Sequence, residues 1–108
     1  MAYSLGIDLG TTYSAAAIAR DGRIQMVQLG ERTATLPSMV VVRSDVEVLV
    51  GDAAERASAS EPTRTARGIK RRLGDPAPIV LGGRPYAAES LLAHLLRAIV
   101  AKVSGTCT

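Results

Sequence analysis

The chain has 108 residues, 47% hydrophobic and 21% charged, a balance that excludes disorder throughout and leaves room for one domain or part of a larger one. Thirteen basic and ten acidic residues give +3, and a single Cys and a single His exclude an internal disulfide framework and a multi-histidine metal site. No apolar run is long enough to span a membrane and the Met1–Ser4 start has no basic region, so neither a membrane span nor a signal peptide is expected and a reducing cytoplasm is the default compartment.

Tyr3, Leu5, Ile7 and Leu9 alternate with Ser4, Gly6 and Asp8, the period of a strand. Gly10-Thr11-Thr12 turns the chain, and Ser14 to Arg20 returns it with the small residues Ala15, Ala17 and Ala19 on one face. Asp21-Gly22 is a hairpin signal that leads into a third strand, Arg23 to Leu29. After a polar loop, Gly30 to Thr35, the segments Ser38–Val42 and Val46–Val50 read as short β-branched strands. Asp52, with Glu55 at the capping-box position, is expected to cap a helix from Ala53 towards Ser60. A further helix over Thr65–Leu73 is expected to be interrupted by Gly68 and stopped by Gly74. Ile79–Leu81 and Arg84–Tyr86 flank a Gly82-Gly83 turn.

The longest element is a helix over Ala88–Val103. Leu91, Leu92, Leu95, Leu96, Ile99 and Val103 form a wide apolar stripe, and Ser90, His94, Arg97 and Ala101 share the polar face. There are three Tyr but no Phe and no Trp, so burial must come from Ala, Val, Leu and Ile, which bury little area each. The stripe calls for a covering layer. The strands are short and Ser104–Thr108 offers nothing to pack. The expectation is therefore an N-terminal portion of a larger α/β protein, with a complete small domain as the other reading.

The charge is local. Arg56, Arg64, Arg67, Lys70, Arg71 and Arg72 face Glu61 alone between positions 56 and 72, a surplus of +5 that leaves −2 for the rest. Such a run points to an anionic partner or to a plain solvated face. Eleven of the thirteen basic residues are Arg, which reflects coding bias as readily as chemistry.

Gly6-Ile7-Asp8-Leu9-Gly10-Thr11-Thr12 is the sharpest feature. Gly10 allows tight backbone geometry, and successive N–H groups at Gly10, Thr11 and Thr12 can cradle an anion. Asp8 would repel a bare phosphate, so its presence makes sense with a divalent cation between them. The other reading is an ordinary hairpin with a capped Asp. Lys70 can neutralise a phosphoryl group, or be a surface lysine. Tyr13 follows the turn and either edges the phosphate site or packs. His94 and Cys107 have no visible chemical companions.

Gly6–Ser14 resembles the first phosphate loop of the 70-kilodalton heat-shock chaperones, within the actin and sugar-kinase superfamily of ATPases. Arg32-Thr33-Ala34-Thr35-Leu36-Pro37-Ser38, Val50-Gly51-Asp52-Ala53-Ala54, and Pro62–Thr65 with Ile69–Gly74 resemble later segments of that family in the same order. The resemblance runs over roughly residues 3 to 103. It implies an actin-like (ribonuclease H-like) ATPase fold, of which this chain is the N-terminal α/β part. Residues 1–36 would be a β-meander carrying the phosphate loop, 37–103 a second subdomain ending in the helix, and 104–108 a tail.

The resemblance also implies roles. Asp8 would organise a hydrated magnesium ion and act in catalysis with Lys70, which approaches the γ-phosphate from the neighbouring subdomain. Gly10, Thr11, Thr12 and Tyr13 would surround the β- and γ-phosphates of ATP or ADP, and Arg71 would support Lys70. A cytoplasmic stress chaperone with peptide clients and co-chaperones is implied, without membrane or nucleic-acid partners. Glu31 stands where the family has Asn, Arg64 replaces another Asn, and aromatic positions are largely aliphatic, which resembles a divergent, actinobacterial member. The family's second phosphate loop and adenosine motif have no counterpart in these residues. The expectation is that residues 1–108 alone hydrolyse little ATP without an opposing lobe. The competing expectation is an interaction module that self-associates through an exposed apolar helix 88–103.

Overall fold

The structure, a computed structural model, describes the backbone of residues 2–107 and the side chains of residues 2–105. Its first layer is a sheet in which β1 (Ser4–Leu9) pairs with β2 (Tyr13–Arg20) and β2 with β3 (Arg23–Met26), all antiparallel. β4 (Leu36–Pro37) pairs with the Tyr13–Ser14 end of β2, so β3 and β4 share one edge of β2 end to end. Asp21 (φ 55°) and Gly22 (φ 74°) are both left-handed, as a two-residue turn matched to the strand twist requires. The third strand is shorter than its apolar pattern. Val27 leaves β3, yet its N–H still donates to the Ala16 carbonyl at 2.9 Å.

Period-two alternation gives the sheet two unlike faces. Ser14, Ala16 and Ile18 point into the core. Gly6, Ala17 and Met26 form a cross-strand row on the other face, beside the Asp8–Ala15 pair. That outer face is an open groove.

β5 (Val40–Val42) sits between β6 (Val48–Val50) and β7 (Thr65–Ala66) in a second antiparallel sheet. Its alternation decides the layering. Val40 and Val42 join the core that includes Leu91, Leu95, Ile99 and Val103. Val41 turns the other way, to Met39, Ala54 and Ala57. The sheet is thus held between α1 (Asp52–Ser58) and α2 (Ala88–Cys107), with the hairpin of β8 (Ile79–Leu81) and β9 (Arg84–Tyr86) alongside. One apolar cluster also takes in Ala16, Ile18, Val27, Leu29 and Leu36, so the two sheets share a core across position 36.

Three expectations change. The stretch 65–73 is not a helix: Thr65 and Ala66 pair with β5, and Gly68 is left-handed (φ 59°). Those two features spend the backbone groups and the geometry a helix would need, so only 3-10 turns form, at Pro62–Arg64 and Ile69–Arg72. Asp52 does not cap α1. Gly51 occupies the cap position without a side-chain bond, and the Asp52 carboxylate accepts the Glu31 N–H at 2.8 Å. Arg56 holds the Glu31 carboxylate through both oxygens, at 2.7 and 2.8 Å, so the loop after β3 is fastened to α1.

The apolar stripe of α2 is not exposed. Leu91, Leu92, Leu95, Ile99 and Val103 are buried within the chain, and only Leu96 and Val100 reach the surface. A helix offering that stripe to a second copy is therefore corrected: the covering layer is β5, β6 and the Ile69–Arg72 turn. The helix also runs past Val103 to Cys107. The Cys107 side chain and Thr108 lie outside the described residues.

On the polar face of α2, Arg97 donates to His94 Nδ1 at 3.2 Å. A guanidinium can only donate, so the neutral ring carries its proton on Nε2. Burial, and then the Arg97 charge, hold the His94 pKa below its ordinary value. The unfolded chain then binds more protons than the folded one. Stability is expected to be full above about pH 7 and to decline slightly as pH falls below the ordinary histidine value of about 6.5. Thermal melts of the protein and of His94→Gln across that range check this: the slope should shrink in the variant.

Candidate functional site

The turn Gly10–Thr12 is tied down from below. Ser38, 5% exposed, sends its backbone N–H to the Thr12 carbonyl at 2.9 Å and its hydroxyl to the Gly10 carbonyl at 2.9 Å. Its Oγ also lies 2.8 Å from Oγ of the fully buried Ser14. The turn is so tight that a Cβ on Gly10 would stand 2.1 Å from the Tyr13 carbonyl oxygen. The N–H groups of Thr11 and Thr12 have no backbone acceptor among the described residues.

Thr11, Thr12 and Tyr13 line a cleft of about 300 Å³ together with Ser38, and Arg67, Gly68 and Arg71 line it from the basic segment. Glu55 is the one carboxylate there, against two guanidinium groups. Two elements far apart in sequence, the β1–β2 turn and the chain around the Ile69–Arg72 turn, therefore meet across one space. Gly68 makes this possible. Its left-handed backbone reverses the chain after β7, so that Ile69 enters the core (1% exposed) while Lys70 and Arg71 stay outside.

The six cations between Arg56 and Arg72 divide into two sets. Arg56 pairs with Glu31, Arg64 donates to the Arg43 carbonyl, and Arg72 pairs with Asp75 at 3.5 Å. Those three fasten loops. The side chains of Arg67, Lys70 and Arg71 have no ion pair or hydrogen bond among the described residues. Of these three, Arg67 and Arg71 line the cleft. Away from this cleft, Arg43 binds Glu61 at 2.7 Å, and that hydrogen bond chiefly raises the Arg43 pKa.

The site residues expected from sequence fall as follows. Gly10, Thr11, Thr12 and Tyr13 form one turn, with Tyr13 about half exposed. Lys70 is exposed beside Arg71 and is not among the side chains lining the cleft. Asp8, on the outer face of β1, lines the open groove with Gly6, Ala15 and Ala17 instead. Among the described residues no three His, Cys, Asp or Glu side chains gather as a metal site. A single carboxylate is enough for magnesium only where phosphate oxygens and waters supply the rest of its shell. Sequence reasoning assigned no role to Ser14 or Ser38, and took Arg67 only as one cation of the basic run. The only signal for Ser38 was its place directly after Pro37 in the resembling segment, since a serine has no periodicity to betray it.

A tied-down turn whose Thr11 and Thr12 N–H groups have no backbone acceptor among the described residues, across a cleft from two arginines, makes a surface suited to an anion. The sequence model described as Hsp70 protein matches residues 4–80, from the start of β1 into β8, and takes in Asp8, the turn, Ser38 and Lys70. The chain belongs to the Hsp70 family of chaperones.

Proposed function

We propose that this chain supplies the N-terminal, phosphate-gripping part of a chaperone-type ATPase with the actin-like fold. Residues 1–36 bring the phosphate loop and residues 37–103 bring the cations that close on it. The N–H groups and hydroxyls of Thr11 and Thr12, with Tyr13 at the rim, would take the β- and γ-phosphates of ATP or ADP. Asp8 would hold a hydrated magnesium ion, which when bound neutralises the polyphosphate. Lys70, supported by Arg71, would approach the γ-phosphate and the attacking water. The observation that carries this reading is the meeting of the Gly10–Tyr13 turn with Arg67 and Arg71, whose side chains have no ion pair or hydrogen bond among the described residues.

Catalysis of phosphoryl transfer is mainly positioning and electrostatics, so hydrolysis is proposed to need an opposing lobe that contacts the base. Residues 1–108 alone are expected to turn over little ATP. Peptide clients, co-chaperones and a cytoplasmic location follow from the family reading. No helix of the described residues is long and apolar enough to cross a membrane.

Calorimetric titration with Mg-ADP tests the site. Asp8→Asn is expected to weaken Mg-ADP binding about tenfold and to remove most of its dependence on magnesium, and Lys70→Ala, whose partner is the γ-phosphate, is expected to weaken binding of Mg-ATP about tenfold in a parallel titration. Equal affinity and equal magnesium dependence in all three proteins would overturn the assignment.

A further inference from the structure

We infer that Ser38 is a positioning residue that holds the Gly10–Tyr13 turn in the shape that offers its N–H groups to phosphate. This rests on the phosphate-loop reading above and names the device that sets that loop. The donor directions follow from counting protons. A hydroxyl carries one hydrogen, and the Gly10 carbonyl can only accept, so Ser38 donates to Gly10 and Ser14 donates to Ser38. The chain of bonds runs Ser14 to Ser38 to Gly10, and the Ser38 N–H takes the Thr12 carbonyl.

Peptide planarity turns those two bonds into an orientation. In a trans peptide the C=O and the following N–H point in opposite directions. Drawing the Gly10 carbonyl to Ser38 aims the Thr11 N–H away from Ser38, and drawing the Thr12 carbonyl does the same for the Tyr13 N–H. Ser38 thus fixes two peptide units of the turn from beneath. Ser14 is different. It completes the buried hydroxyl pair but bonds no atom of the turn through its side chain. The two serines, equally buried polar groups by position, are predicted to have separable effects.

Three variants of the protein separate them: Ser38→Ala, Ser14→Ala and the double variant. Ser38→Ala should weaken Mg-ADP binding about tenfold, the consequence of losing one well-made hydrogen bond that orders the loop. Ser14→Ala keeps the Ser38–Gly10 bond and should move affinity by no more than about twofold. In the double variant no hydroxyl is left orphaned, so its melting temperature should recover relative to Ser38→Ala while its affinity stays low. Amide relaxation gives a readout that needs no nucleotide. The order parameters of Thr11 and Tyr13 should fall from about 0.85 towards 0.6 in Ser38→Ala and in the double variant, and hold in Ser14→Ala. If Ser14→Ala lowers affinity as much as Ser38→Ala, or if the double variant regains both stability and affinity, Ser38 is only a packed polar group and the inference fails. A parent protein that binds no Mg-ADP would overturn the phosphate reading, whereas unchanged order parameters in Ser38→Ala would overturn the positioning role itself.

Discussion

Gly10→Ala is expected to weaken Mg-ADP binding about 100-fold, because the loop would have to move by roughly an ångström and misplacement on that scale is this costly to a positioned site. The methyl would sit 2.1 Å from the Tyr13 carbonyl oxygen. That neighbour is backbone and cannot swing aside as a side chain does. Tyr13 is also pinned, since it pairs with Pro37 while Ser38 holds the carbonyls on either side of Thr11. The strain must therefore open the turn or pull it off Ser38. A stability cost of about 1–3 kcal/mol is expected from the forced overlap. Titration calorimetry and circular-dichroism melts measure the two effects separately. Gly22→Ala is the control for stability alone: its Cβ would meet nothing within 4 Å, so the remaining cost is its left-handed backbone and binding should not change. Parent-like affinity in Gly10→Ala would show that the turn tolerates movement and does not shape the site.

Leu95→Ala is expected to destabilise the protein by about 2–5 kcal/mol. Leu95 is 0% exposed, with Leu91 and Ile99 one turn away on either side and equally enclosed. The core around it is made of aliphatic side chains, and no Phe or Trp exists to lean into the void. Small domains hold only about 5–15 kcal/mol in total, so one methylene cluster decides much of the fold. Leu96→Ala, at a position 36% exposed, should cost under about 1 kcal/mol by the same reasoning. Urea unfolding followed by circular dichroism compares them. The consequence reaches the site, because α2 packs against the Ile69–Arg72 turn that carries Lys70 and Arg71. A loosened α2 lets that turn drift away from Gly10–Tyr13. Matching urea midpoints for Leu95→Ala and Leu96→Ala would contradict the packing described here.

Elements built on local rules were legible in the residues. The β1–β2–β3 meander follows from alternation and from Asp21-Gly22, and α2 follows from its apolar stripe. Glycine turns at Gly82-Gly83 followed the same logic. Reading failed where two local signals competed with a distant partner. Asp52 has the chemistry of a helix cap, but the Glu31 N–H reaches its carboxylate first. Residues 65–73 have helical composition, but β5 claims Thr65 and Ala66. The destination of the α2 stripe was equally hidden. A pattern states that a face is apolar without stating what will cover it, and here the cover is inside the chain.

The sequence by itself determined the family, the Gly10–Thr12 turn after the first strand, the surplus of cations between Arg56 and Arg72, and the periodicity of each long element. These depend on residue type and spacing over a few positions, where backbone geometry is nearly fixed. Only the tertiary structure decided which of those cations are spent on Glu31, the Arg43 carbonyl and Asp75, and that Arg67 and Arg71, without such contacts among the described residues, line the cleft across from the turn. It also decided that Ser38 lies under Gly10, 28 positions away. A hydrogen bond or ion pair needs an approach of about 3 Å and a direction, and for residues so distant along the chain that approach is set by how the layers pack.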